Sequence, residues 1–402
     1  NVNNYLASSG LTNVVVNSYC SFTPGGDYNT ITGQVLFDAN SNGCDATDLP
    51  QTNIRMDMTQ WGINSATFTN SNGNYNFYTT FADQLITPNI ENSSYYTITP
   101  PDAVISFPQT NFLTATQNFC ISANGIHPDL EIVIAPITPA RPGFDAVYQI
   151  VYKNKGNQTL SQLYGVNFFF NQNLMDFVSA TTAPATIGSG SLSWSYANLL
   201  PFESRSIYVT LNINTPTDVN YPVNIGDVLQ FTTSILPIAG DETTTDNTFL
   251  YNQTVVGSYD PNDITCIEGT SVSPSLIGEY LHYVINFENT GTAEAENVVV
   301  KATIDTTKFN LNSLQLLNTS HPSYVKITGN IVEFIFENIA LDTGGHGNIL
   351  LKIRSNGTLQ SGDNVSNRGD IFFDYNAPID TGIANTVFQS LNNSAFEKDN
   401  SV

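Results

Sequence analysis

Asp38, Asn40 and Asn42 occupy alternate positions of one short stretch, and Gly43 follows them. Side-chain oxygens at the first, third and fifth positions of a loop, with glycine at the sixth, let a tight turn surround a hard cation. Cys44 stands seventh and would offer its backbone carbonyl; Asp45 and Asp48 come eighth and eleventh. The closing bidentate Glu of a high-affinity calcium loop is missing. The residues therefore predict a weak structural Ca2+ site formed by Asp38, Asn40, Asn42, Cys44, Asp45 and Asp48. The plainer alternative is an Asx-rich hairpin turn without an ion.

Other candidates carry less. Asp260-Pro-Asn-Asp263 offers Asp260 and Asp263 as candidate junction metal ligands, although a Pro-Asn turn explains them more simply. Asp241-Glu242 with Asp246-Asn247 reads as a solvated acidic loop. The four histidines (His127, His282, His321, His346) form no His-Glu-x-x-His pair, and no Gly-x-Ser-x-Gly elbow occurs. His282 precedes Tyr283, a core-facing position, so alternation points it outward. No catalytic residue is assigned and the chain is not expected to be an enzyme. Arg368-Gly-Asp370 runs straight into the strand-like Ile371-Phe-Phe-Asp-Tyr375, which argues against a recognition loop. Of the four cysteines, Cys44 and Cys120 fall in one expected domain and are the expected disulfide. The partner of Cys20 stays open, and Cys266 reads as a buried thiol.

The elements that would position these groups are strands. In 402 residues there are 24 Phe and 19 Tyr but 3 Met, and helical patterning is nearly absent. Acids outnumber bases 35 to 12, giving a net charge of −23. That excludes a phosphate-neutralising nucleic-acid surface and docking on anionic lipid. Hydrophobic residues reach 41%, enough for a core. No apolar run is long enough for a transmembrane helix. The chain starts at Asn1 without a signal peptide, so a fragment or processed product is expected. Trp61 and Trp194 are candidate sugar platforms, but Trp194 alternates like core.

Two segments repeat. Tyr148-Gln-Ile-Val-Tyr-Lys-Asn-Lys-Gly156 aligns with Tyr283-Val-Ile-Asn-Phe-Glu-Asn-Thr-Gly291; Gly226-Asp227 answers Gly362-Asp363, and Leu200 answers Leu341. The expected fold is all-β: three tandem β-sandwiches, immunoglobulin-like or prealbumin-like, in an extended rod. The expected divisions are 1–29 (end of an upstream region and linker), 30–124, 125–257, 258–391 and a closing linker 392–402.

Gly33-x-Val-x-Phe-Asp-x-Asn-x-Asn-Gly43 and Gly73-x-Tyr-x-Phe77 resemble an SdrD B-like domain. Residues 125–391, with Val255-Val-Gly-Ser-Tyr-Asp-Pro-Asn-Asp263 opening the second copy, resemble paired repeats of Bacteroidetes (Flavobacterium-type) surface proteins. Residues 10–26 resemble the end of a leucine-rich-repeat array, and 396–402 the lead-in to a type IX sorting domain. The resemblance implies an extracellular or outer-surface location and a type IX translocon as partner. It implies a non-catalytic stalk or adhesin region presenting an upstream recognition region to an unknown protein or glycan. The alternatives are a glycan- or protein-binding module and an accessory region of a secreted hydrolase. Asp305-Thr306-Thr307 resembles this phylum's O-glycosylation pattern, with Thr306 the candidate acceptor. Gram-positive pilin domains weld a Lys to an Asn or Asp; residues 1–124 contain no Lys, and Lys153 points away from the expected core.

Overall fold

A computed structural model describes residues 22–389. Among them there is no α-helix, and the chain forms strands joined by turns and two 3-10 turns. The alternation of Ile31, Val35 and Phe37 does what period-2 patterning requires: Asn29–Asp38 is buried at every second residue. Gly33 is required there, because a Cβ would sit 1.7 Å from the Gln117 carbonyl oxygen.

Three sandwiches result. In the first, a six-stranded sheet built on Asn29–Asp38 and Phe119–Ala123 faces a second sheet of Ile63–Phe68, Arg55–Gln60, Ala82–Asn89 and Ala103–Phe107. The second pairs a four-stranded sheet (Leu130–Pro136, Asp145–Asn154, Ser204–Ile213, Met175–Ala180) with a five-stranded one that includes Leu160–Phe170 and Thr248–Thr254. The third repeats the four-stranded order with Asp263–Cys266, Tyr280–Glu288, His346–Ser355 and Phe309–Thr319.

The repeat is physical. Asn154 Nδ2 donates to the Leu199 and Gln158 carbonyls, and Asn289 Nδ2 to the Leu341 and Ala293 carbonyls. Each Asn side chain also accepts from the glycine two residues on, at 3.0 Å. By these bonds Leu199, rather than Leu200, answers Leu341. Gly226 and Gly362 share a left-handed φ of 95° and 97°, beside Asp227 and Asp363, whose carboxylates cap matching turns.

The expected extended rod is corrected. Ile63–Phe68 of the first sandwich pairs antiparallel with Tyr324–Thr328 of the third, Ala66 opposite Ile327, making one nine-stranded sheet. Ala66 and Phe68 are buried in the third core, and Phe202 of the second sandwich in the first. Val284, Leu317 and Leu350 of the third sandwich lie in the second core cluster. An edge strand presents unpaired N–H and C=O groups; here one edge covers another, and the chain folds back on itself.

Candidate functional site

The two repeats meet back to back through the outer faces of their four-stranded sheets. Along Tyr280–Glu288 the odd positions Leu281, Tyr283, Ile285 and Phe287 fill their own core, while Val284 packs against the neighbour. Both faces of this strand, and all of Leu130–Pro136, are therefore buried. Gln149 bridges the interface: its Nε2 donates to Asn318 Oδ1 (2.9 Å) and its Oε1 accepts from Asn348 Nδ2 (2.8 Å).

At one end of that interface stands a charge cluster built from all three sandwiches. Lys352, 1% exposed, donates to Glu131 Oε1 and Oε2 at 2.7 and 2.9 Å, and to Glu91 Oε1 at 2.9 Å. Its ammonium also lies 4.4 Å from the Tyr280 ring centroid. His282 Nδ1 contacts Glu268 at 2.6 Å and its Nε2 lies 3.6 Å from Glu131. Burial alone would raise the Glu131 carboxyl, but Lys352 and His282 hold it well below the usual range. Burial would lower Lys352, and Glu131 and Glu91 outweigh it and push it up. Burial would likewise lower His282; Glu268 and Glu131 raise it to about 9. His282 is thus buried, not outward-facing: alternation assigned its face to solvent, and the second sandwich covers that face. Lys153, on the second sandwich's own outer face, is likewise half-buried, beside Glu91 of the first; burial lowers its pKa and Glu91 opposes that.

The raised His282 pKa fixes a pH dependence. The imidazolium favours the fold fully below its ordinary value of 6.5, and that contribution disappears as pH rises through about 9. The urea midpoint of the native chain should fall across that window, and His282→Gln should flatten the fall. An unchanged slope in His282→Gln would contradict the assignment.

A second cluster surrounds Lys155, which is 5% exposed. Its Nζ contacts Asp246 Oδ2 and lies 3.3 Å from Asp129 Oδ1. Asp129, Asp241 and Asp246 are the one group of three metal-ligand side chains within 4.8 Å among the described residues. Asp241 Oδ2 is tied to the Leu130 N–H (2.8 Å). The solvated loop expected at 241–247 is corrected in part: Asp241 and Asp246 turn inward onto Lys155, Asp129 and strand Leu130–Pro136. An ammonium already stands among these carboxylates, where a cation would sit.

The loop from Asp38 to Asp48 closes on itself. Asp38 is buried and accepts from Asn42 N–H (3.2 Å) and Gly43 N–H (2.8 Å); Asn40 Oδ1 accepts from Asn42 N–H (3.0 Å). Asp45 Oδ1 takes the Thr47 N–H and hydroxyl, and Asp48 Oδ2 the Asp45 N–H at 2.7 Å. Asp38, Asp45 and Asp48 do not converge within 4.8 Å. A Ca2+ here would use carboxylate lone pairs left over from these N–H groups, so the residues fit an ion only in part. Cys44 is joined to Cys120, which pins the loop to the strand parallel to Asn29–Asp38. Cys266 is buried and its thiol is pushed up by burial; Cys20 lies outside the described residues.

The remaining candidates are each held by partners of their own. Asp263 accepts from Asn286 Nδ2 and Thr265 Oγ1, both at 3.0 Å, and Asp260 from the Asn262 N–H. Thr306 is exposed beside the Asp305 turn. Gly369 opens strand Gly369–Phe373, and Arg368 pairs with Asp370 and Asp380. Trp194 is core, its Nε1 donating to the Thr182 carbonyl at 2.8 Å; Trp61 is 64% exposed against Phe81. Sequence reading missed Glu91, Glu131, Lys155, Glu268 and Lys352. The available signal was a charge inside an apolar run, Leu130-Glu-Ile-Val-Ile134 and Leu350-Leu-Lys-Ile353.

Comparison with known proteins adds a family segment and bacterial surface proteins. No curated protein matches the chain. The major pilin subunit BcpA of Bacillus cereus is 10% identical over 88% of this chain and 94% of that one, at a TM-score of 0.23. The major pilin SpaD of Corynebacterium diphtheriae is 9% identical over 90% and 92%, at 0.20. A putative membrane anchored protein of the same organism is 10% identical over 90% and 86%, at 0.24. Such scores carry nothing about how the sandwiches are arranged. Residues 260–387 match a family described as a domain of unknown function (DUF7619).

Proposed function

We propose that the chain is a non-catalytic structural region of a secreted or cell-surface protein, exported by a type IX system, that holds a neighbouring recognition region in a fixed place. The supporting observation is Lys352, whose ammonium is shared by carboxylates from the two other sandwiches. Such a junction resists relative motion of the three sandwiches. Boundaries near 124 and 257 belong to this reading, as does a weak Ca2+ at the Asp38 loop.

The test is functional silence with a metal response. A panel of glycosidase, peptidase and esterase substrates should give no turnover. Turnover abolished by changing one buried carboxylate would overturn the reading. For the metal, millimolar calcium should raise the melting temperature over EGTA, and Asp38→Ala should abolish the rise. Tenfold excess over Kd gives ~1.4 kcal/mol. No response would leave a self-capped polar turn.

A second reading rests on the exposed apolar side chains of the first sandwich, where Trp61, Ile63 and Phe81 stand 64%, 61% and 54% exposed. A glycan-array screen with Trp61→Ala as control separates a binding face from a plain edge.

A further inference from the structure

We propose that Lys155 and Asp246 form an intramolecular isopeptide bond, with Asp129 moving the protons. The nucleophile, the acceptor and a second carboxyl are held together before any reaction. The Asp129 carbonyl oxygen accepts the Lys155 and Gly156 N–H groups at 2.7 and 2.9 Å, fixing the lysine. The Asp246 carbonyl oxygen accepts from Ile132 N–H at 3.0 Å, fixing the acceptor on the same strand. Lys155 Nζ then touches Asp246 Oδ2, with Asp129 Oδ1 on its other side at 3.3 Å.

The hydrogen bonding is incomplete in a telling way. Asp129 Oδ1 and Asp246 Oδ1 are both buried and have no hydrogen-bond partner. Asp129 is itself fully buried, its Oδ2 taking Asn92 Nδ2 at 2.8 Å. A buried ion pair that leaves acceptors unmet keeps its desolvation cost. An amide in its place removes two charges and frees a water, and asks for one donor and one acceptor. Burial pushes Asp246 up to about 7 and Asp129 to about 6 against the pull of Lys155, while the surrounding carboxylates push the Lys155 ammonium up as well, so handing the proton to Asp246 is the uphill step of the condensation.

The step balances without a co-reactant. The ammonium passes a proton through Asp129 to Asp246, leaving an amine and a carboxylic acid. The amine attacks Cγ of Asp246 and the C–N bond forms. Asp129 takes a proton from that nitrogen and returns it to the departing hydroxyl. The C–O bond breaks and one water leaves, carrying one carboxyl oxygen and two of the ammonium hydrogens. The bond would tie the end of Asp145–Asn154 to the start of Thr248–Thr254, strands of opposite sheets. In the other repeat Thr290 stands where Lys155 does, between Asn289 and Gly291; the crosslink belongs to one sandwich.

The experiment is the intact mass of the purified full chain with its disulfide reduced, followed by tryptic mapping. The expected result is a mass one water below that of the sequence, and one branched peptide joining Lys155 to Asp246. Lys155→Arg and Asp246→Ala should restore the full mass. Asp246→Asn should still crosslink, losing ammonia instead of water. Asp129→Asn should keep the full mass while circular dichroism reports a retained fold. A native chain at full mass overturns the proposal, as does a water loss that maps to a peptide lacking either residue.

Discussion

Lys352→Met should destabilise the chain by about 3–5 kcal/mol, because it leaves Glu91 a buried carboxylate without its cation and Glu131 with His282 alone. Exposed pairs such as Lys326–Glu333 set the contrast, since removing one of them should cost at most about 1 kcal/mol. The larger figure is the penalty of an uncompensated charge, not the net worth of the pair. Combining Lys352→Met with Glu131→Gln and Glu91→Gln should therefore recover much of the loss. Urea unfolding of the four proteins checks both statements. A single variant no weaker than an exposed-pair variant would show that the cluster is solvated and that the junction is open.

Breaking the Cys44–Cys120 disulfide should cost about 4.5 kcal/mol, the loop-closure entropy of a bridge spanning 76 residues. The bridge closes nearly the whole first sandwich, so Cys44→Ser with Cys120→Ser should lower the denaturant midpoint of the transition that reports on that sandwich. The same change should loosen the Asp38 loop, because Cys44 lies within it. Unfolding in the presence and absence of reductant measures the effect. A midpoint unchanged on reduction would mean that the denatured chain is already compact, or that the bridge is not formed.

The inner faces of the strands were legible because period-2 alternation reports a strand's own core. Tyr148, Ile150, Tyr283 and Ile285 all point inward in the structure. The outer faces were not legible for the same reason. Gln149, His282 and Lys352 sit at positions that alternation gives to solvent, and only the docking of a second sheet buries them. The rod failed on a similar point. Nothing in Ile63-Asn-Ser-Ala-Thr-Phe68 marks it as a strand whose partner lies in another sandwich, yet Ala66 and Phe68 are buried there. Lys155 was passed over for Lys153 two residues earlier: Asn154 begins a tight turn, alternation ends at that turn, and the lysine beyond it swings inward to Asp129.

Three sandwiches interlock into one body through a shared nine-stranded sheet and a buried charge cluster. Small-angle X-ray scattering of the full chain in solution tests it most directly. Packed as described, a chain of 402 residues should have a radius of gyration of about 22 Å. Three sandwiches strung end to end would give roughly 33 Å and an elongated pair-distance distribution. The smaller value supports the interlocked arrangement, and the larger one would contradict it.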